Sequence, residues 1–257
     1  MRLRSALLAA TLTAATVTLA VAAAPAGAVA RGEYAEPGQY PFAGKLTMTH
    51  IPRTDGTFYD SACSGALISA TWIITAGHCF HDVNRNPVSG PVPYPTTVTL
   101  NTVDLSVSAG ERVAVIRVQQ ASNDIALAKL ASPVTDVVPL ALSKVKPATG
   151  TILTIAGWGA TSSVNPAPNT RMTLGQVKIK QVKPSTVSVV GYAPYTNTSA
   201  CLYDSGAPYF TTPSAGQPLL VSVESDGPNC PHTTAETTSR VDILGAWIRS
   251  VVTDLPA

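Results

Sequence analysis

After residue 40 the chain is built from short apolar runs that are rich in β-branched residues and end at Gly, Pro, Asn or Asp. Many short runs of this kind with frequent turn residues are typical of a β-sandwich or β-barrels. We therefore predict an all-β protein. The predicted strands are residues 41–48, 64–69, 71–75, 97–105, 112–118, 124–130, 151–156, 176–182, 186–190, 208–210, 219–224 and 237–241.

A helical period appears only at the end of the chain. Leu244, Trp247, Ile248 and Val251 fall on one stripe, and Asp242 stands where an N-cap residue would. This pattern predicts a C-terminal helix that begins at Asp242 and packs one face against the core.

The first 28 residues predict a signal peptide. Arg2 and Arg4 precede a long uncharged run of Ala, Thr, Leu and Val that ends in small residues. A transmembrane anchor is the alternative, but repeated threonines and Pro25 weaken it. We therefore expect a secreted, extracellular protein that leaves the membrane when the signal is cleaved.

Two cleavage positions satisfy the small-x-small rule, one after Ala28 and one after Ala30. Removal of residues 1–28 takes away two of the 17 basic residues and none of the 15 acidic ones. The exported chain is then close to neutral. No basic stripe supports nucleic acid or an anionic membrane as a partner.

Four cysteines remain in the exported chain: Cys63, Cys79, Cys201 and Cys230. An even number in an exported protein indicates disulfides, and the absence of a CxxC pair or a Cys/His cluster disfavours zinc. Three pairings are possible from the residues alone. If cysteines that are neighbours in the sequence pair, two loops are closed, and each disulfide stabilises the folded chain by about 3 kcal/mol. No calcium-loop spacing occurs either, so we expect no metal and no cofactor.

Three residues could form a nucleophilic site. His78 follows the apolar run 72–76 beside a cysteine, Asp124 opens another apolar run, and Ser205 lies in the sequence CLYDSGAP. Asp-Ser-Gly alone is an ordinary turn sequence, and a lone histidine is usually structural. Together, however, a histidine can take the serine proton while an aspartate holds the imidazole in the required tautomer.

Five motifs along the chain resemble, in sequence and in order, those of the chymotrypsin and trypsin family of serine endopeptidases. The chain looks like a secreted bacterial member of that family. The motifs are TAGHC at 75–79, NDIAL at 123–127, AGWG at 156–159, DSGAP at 204–208 and RVDILGAWIRSV at 240–251. The resemblance implies two packed six-stranded antiparallel β-barrels with a C-terminal helix. It places an N-terminal barrel in residues 29–135, and a C-terminal barrel with the helix in residues 136–257.

The resemblance also implies a role for each site residue. His78 would be the general base, Asp124 its orienting acid and Ser205 the nucleophile. The backbone amides of Tyr203 and Ser205 would form the oxyanion hole. The implied disulfides are Cys63 with Cys79 and Cys201 with Cys230.

Some positions depart from the family pattern. Tyr203 stands where glycine is normal, and its Cβ narrows the backbone conformations open to an oxyanion-hole peptide. Ala207 replaces another glycine. In the substrate-binding strand, Ser225 is followed by Asp226 and Gly227 instead of tryptophan and glycine, so an apolar wall is lost and an acid is gained.

The residue implied at the floor of the specificity pocket is Ser199, so the acid of trypsin itself is absent. Glu236 falls on the opposite wall, where a carboxylate could accept a basic side chain. Alternatively, Glu236 points to solvent and the pocket takes apolar or aromatic side chains. The sequence leaves both possibilities open.

The resemblance further implies that a freed N-terminus pairs with the acid that precedes the nucleophile. Alignment puts Val29 at this terminus and Asp204 at the acid. Cleavage after Ala28 would therefore activate the enzyme on export, with no separate propeptide. Cleavage that exposes Arg31 would leave Asp204 without this partner.

Three functional classes follow. The first is a secreted serine endopeptidase, expected to be a monomer that acts on protein or peptide substrates and can meet a protein inhibitor. The second is an esterase or a narrow-specificity hydrolase, with Tyr203 and Asp226 reshaping the cleft. The third is a non-catalytic binding homologue, which the intact triad disfavours.

Overall fold

The computed structural model describes residues 29–213 and 216–256. These residues form fifteen strands and one short α-helix. The strands of the first half are β1 (Glu33–Tyr34), β2 (Ala43–Pro52), β3 (Phe58–Ser69), β4 (Trp72–Ala76), β5 (Gly90–Pro91), β6 (Thr96–Leu100), β7 (Glu111–Ala121) and β8 (Ile125–Leu130). Those of the second half are β9 (Ala141–Leu142), β10 (Ile152–Gly157), β11 (Thr173–Val182), β12 (Thr186–Ala193), β13 (Pro208–Thr211), β14 (Leu219–Asp226) and β15 (Glu236–Arg240).

Six antiparallel strands of the first half close into a barrel. Their order is β7-β6-β2-β3-β4-β8, and pairing of β7 with β8 closes the ring. Closure leaves no open edge in the ring itself. The short β5 adds to β7 on the outside.

Six strands of the second half form a second closed barrel in the order β11-β10-β13-β14-β15-β12. The pairing of β11 with β12 completes it. β1 adds to β11 from outside, and β9 pairs in parallel with β14. The predicted all-β fold of two six-stranded antiparallel barrels is confirmed, and every predicted run overlaps an observed strand.

Aromatic packing joins the two barrels. Phe42 lies directly before β2, and its ring packs edge-on against Phe210 of β13 with the ring centroids 5.3 Å apart. Tyr40 contacts Phe210 in the same way at 4.8 Å. Such edge-to-face pairs add to the stability gained from burying the rings. This contact holds together the two halves between which the candidate site lies.

The C-terminal helix is shorter than predicted. A 3₁₀ turn covers Asp242–Leu244, and helix α1 follows at Gly245–Val251. Ile248 is buried, as the apolar stripe predicts. The predicted capping role of Asp242 is wrong, because its carboxylate accepts hydrogen bonds from Arg240 Nε at 3.0 Å and Nη2 at 2.6 Å.

Both disulfides implied by the resemblance are formed, Cys63 with Cys79 and Cys201 with Cys230. The predicted signal peptide, residues 1–28, lies outside the described residues. Within the described ranges, no helix combines the length and apolar character needed to cross a membrane.

Candidate active site

His78 lies at the end of a fully buried strand. β4 runs into a 3₁₀ turn at Gly77–Cys79, whose flanking residues are buried while the His78 side chain remains 46% exposed. The disulfide from Cys79 to Cys63 ties this turn to β3. The first barrel thus presents one imidazole to the cleft from a fixed backbone.

Asp124 accepts three hydrogen bonds through its side chain. The His78 backbone N–H donates to Oδ1 at 2.8 Å, and His78 Nδ1 lies 2.9 Å from Oδ2. The Ser225 hydroxyl donates to Oδ2 at 2.6 Å from the second barrel. The carboxylate is only an acceptor, so this contact puts a proton on Nδ1 and leaves Nε2 free to act as a base.

The pKa of Asp124 reflects the balance of these contacts. Burial acts to raise the pKa of the carboxyl group, but the hydrogen bonds from His78 and Ser225 and the charge of His78 hold the pKa below its ordinary value. Asp124 is therefore ionised at neutral pH.

Ser205 is held between the two barrels by its own backbone and that of its neighbour. The Ser64 N–H of β3 donates to the Ser205 carbonyl at 2.8 Å, and the Gly206 N–H donates to the Glu224 carbonyl at 2.9 Å. Gly206 has φ of +85°, and a Cβ there would lie 2.1 Å from the Thr75 hydroxyl. Only glycine fits this turn.

His78 and Ser205 line the same two cavities on either side of the cleft. Within the described residues, no hydrogen bond joins their side chains. Catalytic hydrogen bonds in ligand-free enzymes are often long and tighten only when substrate binds. The predicted base and nucleophile are thus neighbours in one cleft, and the His78–Asp124 contact is already made.

Tyr203 adopts a left-handed conformation with φ of +74°. Its carbonyl accepts a hydrogen bond from the Ser64 hydroxyl at 3.3 Å. The N–H groups of Tyr203 and Ser205 donate to no acceptor in the described part of the chain. The backbone therefore takes the conformation that glycine adopts readily, despite the Cβ of tyrosine.

Asp204 is completely buried under the Ser205 turn. The Gly159 N–H donates to Oδ1 at 2.8 Å, and the Cys201 N–H donates to Oδ2 at 3.0 Å. Burial raises the pKa of Asp204 well above its ordinary value, although both hydrogen bonds oppose this change. A cation brought to this carboxylate would stabilise its charged form.

Val29 is also completely buried, and it packs in the core of the second barrel. The neighbouring Ala30 carbonyl accepts a hydrogen bond from the Ser199 N–H at 3.1 Å. Among the recorded contacts of the described residues, none joins Val29 to Asp204.

The cavity beside Ser205 in the second barrel has a volume of about 320 Å³. Ser225, Asp226 and Gly227 form one wall of it, as the resemblance implies for a substrate-binding strand. Ser199 and Glu236 are not on its surface. Ser199 is 1% exposed and Glu236 is 2% exposed, so the alternative in which Glu236 points to solvent is wrong.

A chain of buried polar groups begins at Glu224, which lines this cavity. The Tyr209 hydroxyl lies 2.8 Å from Glu224 Oε2 and 2.6 Å from Glu236 Oε1, and His232 Nε2 lies 3.4 Å from Glu236 Oε2. The Ala200 N–H also donates to Glu236 at 3.1 Å. A phenol has one proton, so it can donate to only one of the two carboxyl groups. The other carboxyl group must carry a proton of its own.

The pKa directions in this chain agree with its geometry. Burial, followed by the charge of Glu236, raises the pKa of Glu224 well above its ordinary value. Contact with Glu236 raises the pKa of His232 although burial opposes it. We therefore assign the proton to Glu224, which donates to Tyr209, and Tyr209 donates to the Glu236 carboxyl group beside His232.

We expect Glu224→Gln to flatten the pH dependence of stability. A carboxyl group with a raised folded-state pKa contributes stability below its unfolded pKa of about 4.3, and this contribution is lost as pH rises toward the folded pKa, at up to about 1.4 kcal/mol per pH unit. Glutamine keeps the donor toward Tyr209 and removes the titration. Urea unfolding across this pH range measures the slope.

The exposed Glu36→Gln is the matched control for this experiment. Both variants should carry Ser205→Ala to prevent self-digestion. Equal slopes above pH 5 in Glu224→Gln and the control would contradict the assigned protonation of Glu224.

Sequence patterns predicted His78, Asp124, Ser205 and Ser225, which the structure brings into one cleft, but they missed Glu224, Tyr209 and His232. These residues are distant in sequence and meet only because β13, β14 and β15 are neighbours in the second barrel. The one available signal was the position of two glutamates at the ends of uncharged runs, Glu224 after residues 219–223 and Glu236 before residues 237–239.

The family model described as Trypsin matches residues 29–248. Serine protease 56 of Homo sapiens is 29% identical over 233 residues, which cover 79% of this chain and 35% of that protein. Brachyurin of Leptuca pugilator is 31% identical over 165 residues, with 61% of this chain and 70% of brachyurin covered. The chain thus spans about a third of the human and mouse Serine protease 56 sequences.

A solved structure titled as neuropsin, a serine protease expressed in the limbic system of mouse brain, has the same fold. Its TM-score is 0.66 with 19% identity, and the match covers 86% of this chain and 98% of that one. Because the Trypsin family model matches most of the sequence and the two barrels are complete, this chain belongs to the trypsin family of serine proteases.

Proposed function

We propose that this protein is a secreted serine endopeptidase that hydrolyses peptide bonds through an acyl-enzyme on Ser205. The observation that carries the proposal is the hydrogen-bonded chain from Ser225 through Asp124 to His78, which ends in a free Nε2 beside Ser205. A non-catalytic homologue would have no need of an imidazole held in this tautomer.

In the proposed first step, His78 Nε2 removes the Ser205 hydroxyl proton as Oγ attacks the carbonyl carbon. The C–N bond then breaks, and the same proton passes from Nε2 to the leaving amine. Water repeats the sequence on the acyl-enzyme and releases the acid and free Ser205. Asp124 stays ionised and stabilises the imidazolium at each stage.

The N–H groups of Tyr203 and Ser205 would stabilise the oxyanion. Two features support this role: neither N–H is engaged by another acceptor in the described residues, and Tyr203 has φ of +74°. A donor of this kind contributes about 10²–10³-fold to kcat.

We expect Tyr203→Gly to keep or raise kcat and Tyr203→Val to lower it by about 100-fold. Glycine takes a positive φ without strain, whereas a β-branched residue there is a genuine outlier. Steady-state kinetics on one peptide substrate measure kcat for both variants. Equal kcat values for the two variants would contradict the proposed role of the Tyr203 N–H, and an organophosphate titration corrects for any loss of folded enzyme.

Digestion of casein, compared with hydrolysis of a simple ester, tests the proposed reaction. An endopeptidase cleaves both, while an esterase acts on the ester alone. A non-catalytic homologue does neither and is not labelled at Ser205 by an organophosphate. Ester hydrolysis without casein cleavage would therefore replace this proposal with the esterase alternative.

For cleavage-site preference, we propose small uncharged side chains. The cavity beside Ser205 is only about 320 Å³ in volume and is not lined by Ser199, and Glu236 is already matched by His232, Tyr209 and the Ala200 N–H. A buried carboxylate that has partners offers little to a substrate lysine or arginine. A peptide panel that varies only this residue tests the proposal, and a preference for Arg or Lys would overturn it.

We further propose that export exposes Val29 and that its new amine pairs with Asp204. The burial of both residues in the second barrel and the raised pKa of Asp204 support a cation at this position. N-terminal sequencing of exported protein should give Val29. A fully active protein that starts at Arg31 would contradict the proposal.

A further inference from the structure

The cavity on the first-barrel side of Ser205 differs in charge from the cavity on the other side. It has a volume of about 230 Å³, and its lining includes His78, Tyr203 and Ser205 together with Arg85, but no aspartate or glutamate. The cavity on the second-barrel side contains Glu224 and the exposed Asp226, and no lysine or arginine. Because Glu224 is assigned as protonated, Arg85 carries the charge on one side of the nucleophile and the exposed Asp226 carries the opposite charge on the other.

Arg85 is held in place at the rim of the basic cavity. Its Nη1 donates to His81 Nε2 at 3.1 Å, and its guanidinium carbon lies 5.7 Å from the centroid of the Tyr59 ring. His81 is itself fixed, since it is buried, its Nδ1 lies 2.6 Å from the Asp82 carbonyl, and its ring packs on Tyr94. A guanidinium held in this way loses little entropy when it binds a partner.

No carboxylate in the described part of the chain matches the charge of Arg85. Its guanidinium forms no ion pair with any described residue. The nearby Asp82 is engaged elsewhere, because its carboxylate accepts hydrogen bonds from Asn84 and Asn86. Arg53 adds a second positive charge at this end, with its guanidinium carbon 4.4 Å from the Tyr59 centroid.

The chemistry of the proposed reaction decides which part of a substrate meets this cavity. With the acyl half placed along Ser225–Gly227 in the second-barrel cavity, as the resemblance implies, the chain beyond the scissile bond must leave Ser205 on the other side. There His78 also delivers its proton to the leaving amine. The residues after the cleaved bond therefore enter the cavity that Arg85 borders.

We propose that Arg85, positioned by His81 and Tyr59, is a specificity determinant that selects substrates with acidic side chains after the scissile bond. The inference rests on the proposed endopeptidase function. A carboxylate in this cavity pairs with the fixed guanidinium, whereas a lysine there meets a like charge.

Acyl transfer to an added amine measures recognition on the leaving-group side of the cleft separately from recognition of the acyl half. The acyl-enzyme is formed from one activated ester, and Gly-Glu-Gly-amide, Gly-Gln-Gly-amide or Gly-Lys-Gly-amide then competes with water for it. The amine nitrogen attacks the ester carbon, a new peptide bond forms, and Ser205 regains its proton through His78. The ratio of peptide to acid measures binding on the leaving-group side, because acylation is common to all three reactions.

We expect the glutamate nucleophile to be favoured about fivefold over glutamine and about tenfold over lysine. Arg85→Gln should abolish this preference, and Arg85→Lys should restore part of it. Arg112→Gln, an exposed arginine in β7, should leave it unchanged. Salt at about 0.5 M should weaken the preference in the wild type.

Two failures can be told apart. A normal burst of acyl-enzyme with equal use of the three nucleophiles, or a glutamate preference that survives Arg85→Gln, overturns this inference alone. No burst with the ester and no organophosphate label on Ser205 overturn the proposed function and the inference with it.

Discussion

Replacement of Ser205 by alanine is expected to lower kcat/KM on peptide substrates by roughly 10⁶-fold. Among the described residues, the Ser205 hydroxyl lines both cavities that contain His78, whereas Ser61 lines only one of them and Ser225 lines only the other and donates to Asp124. Without Oγ no acyl-enzyme can form. Only the modest catalysis by the oxyanion hole and by substrate binding would remain.

The fold should not change in Ser205→Ala, because the contacts that fix the turn use the Ser205 carbonyl and the Gly206 N–H. We expect a Tm close to that of the wild type. Ser185→Ala, which removes an exposed hydroxyl from the same barrel, is the control and should keep full activity. Retention of more than about a hundredth of wild-type activity in Ser205→Ala, after contamination is excluded, would contradict the proposed mechanism.

Asp124→Asn is expected to lower kcat by roughly 10⁴-fold. The asparagine amide can donate to His78 Nδ1, which would move the imidazole proton to Nε2 and remove the base. The side chain keeps nearly the same size, its oxygen can still accept from the His78 N–H, and the Ser225 hydroxyl can turn to accept from the amide. Kinetics on one peptide substrate, with correction for folded enzyme, measure the loss.

Ser225→Ala provides a graded comparison, since it removes one of the three hydrogen bonds to the Asp124 side chain and leaves its charge in place. We expect a loss of about tenfold, from one hydrogen bond to a charged group. The low pKa of Asp124 keeps it ionised above about pH 4, so its titration should not limit activity at higher pH. A loss in Asp124→Asn no larger than that in Ser225→Ala would contradict the tautomer argument.

The strands were predictable because each depends on a local pattern of apolar and turn residues. The hairpin of β2 and β3 nevertheless extends beyond the predicted runs, to Pro52 and from Phe58. His50 has φ of +56° there, and an irregular register between Met48 and Ile51 lets the pairing continue. The two-residue strands β1, β5 and β9 carry too little pattern to be detected.

The hydrogen-bond partners of single side chains were harder to predict than the strands, because several groups compete for the same side chain. Asp242 has the residue type and position of an N-cap, but Arg240 offers a bidentate charged partner instead. The resemblance implies a place for Glu236 on a pocket wall, but Glu236 does not line the cavity beside Ser205. Its contacts with His232 and Tyr209 arise only after the second barrel closes.

The left-handed backbone conformation of Tyr203 could not be predicted from the sequence either, because the sequence shows only that tyrosine stands where glycine is usual. The Ser64 hydroxyl contact to the Tyr203 carbonyl, and the Ser64 N–H contact to the Ser205 carbonyl, come from the other barrel. Packing between barrels can offset the roughly 1–2 kcal/mol that a positive φ costs an ordinary residue. The local sequence contains no sign of these contacts.

Covalent labelling of Ser205 tests the central proposal most directly. Purified folded protein is treated with an organophosphate, and its intact mass and its peptides are compared with those of untreated protein. We predict one adduct per molecule, located on the peptide that contains Ser205, and none in Ser205→Ala or in protein unfolded before treatment. Folded protein that takes up no label, or that takes it up equally in Ser205→Ala, would contradict the assignment of Ser205 as an activated nucleophile.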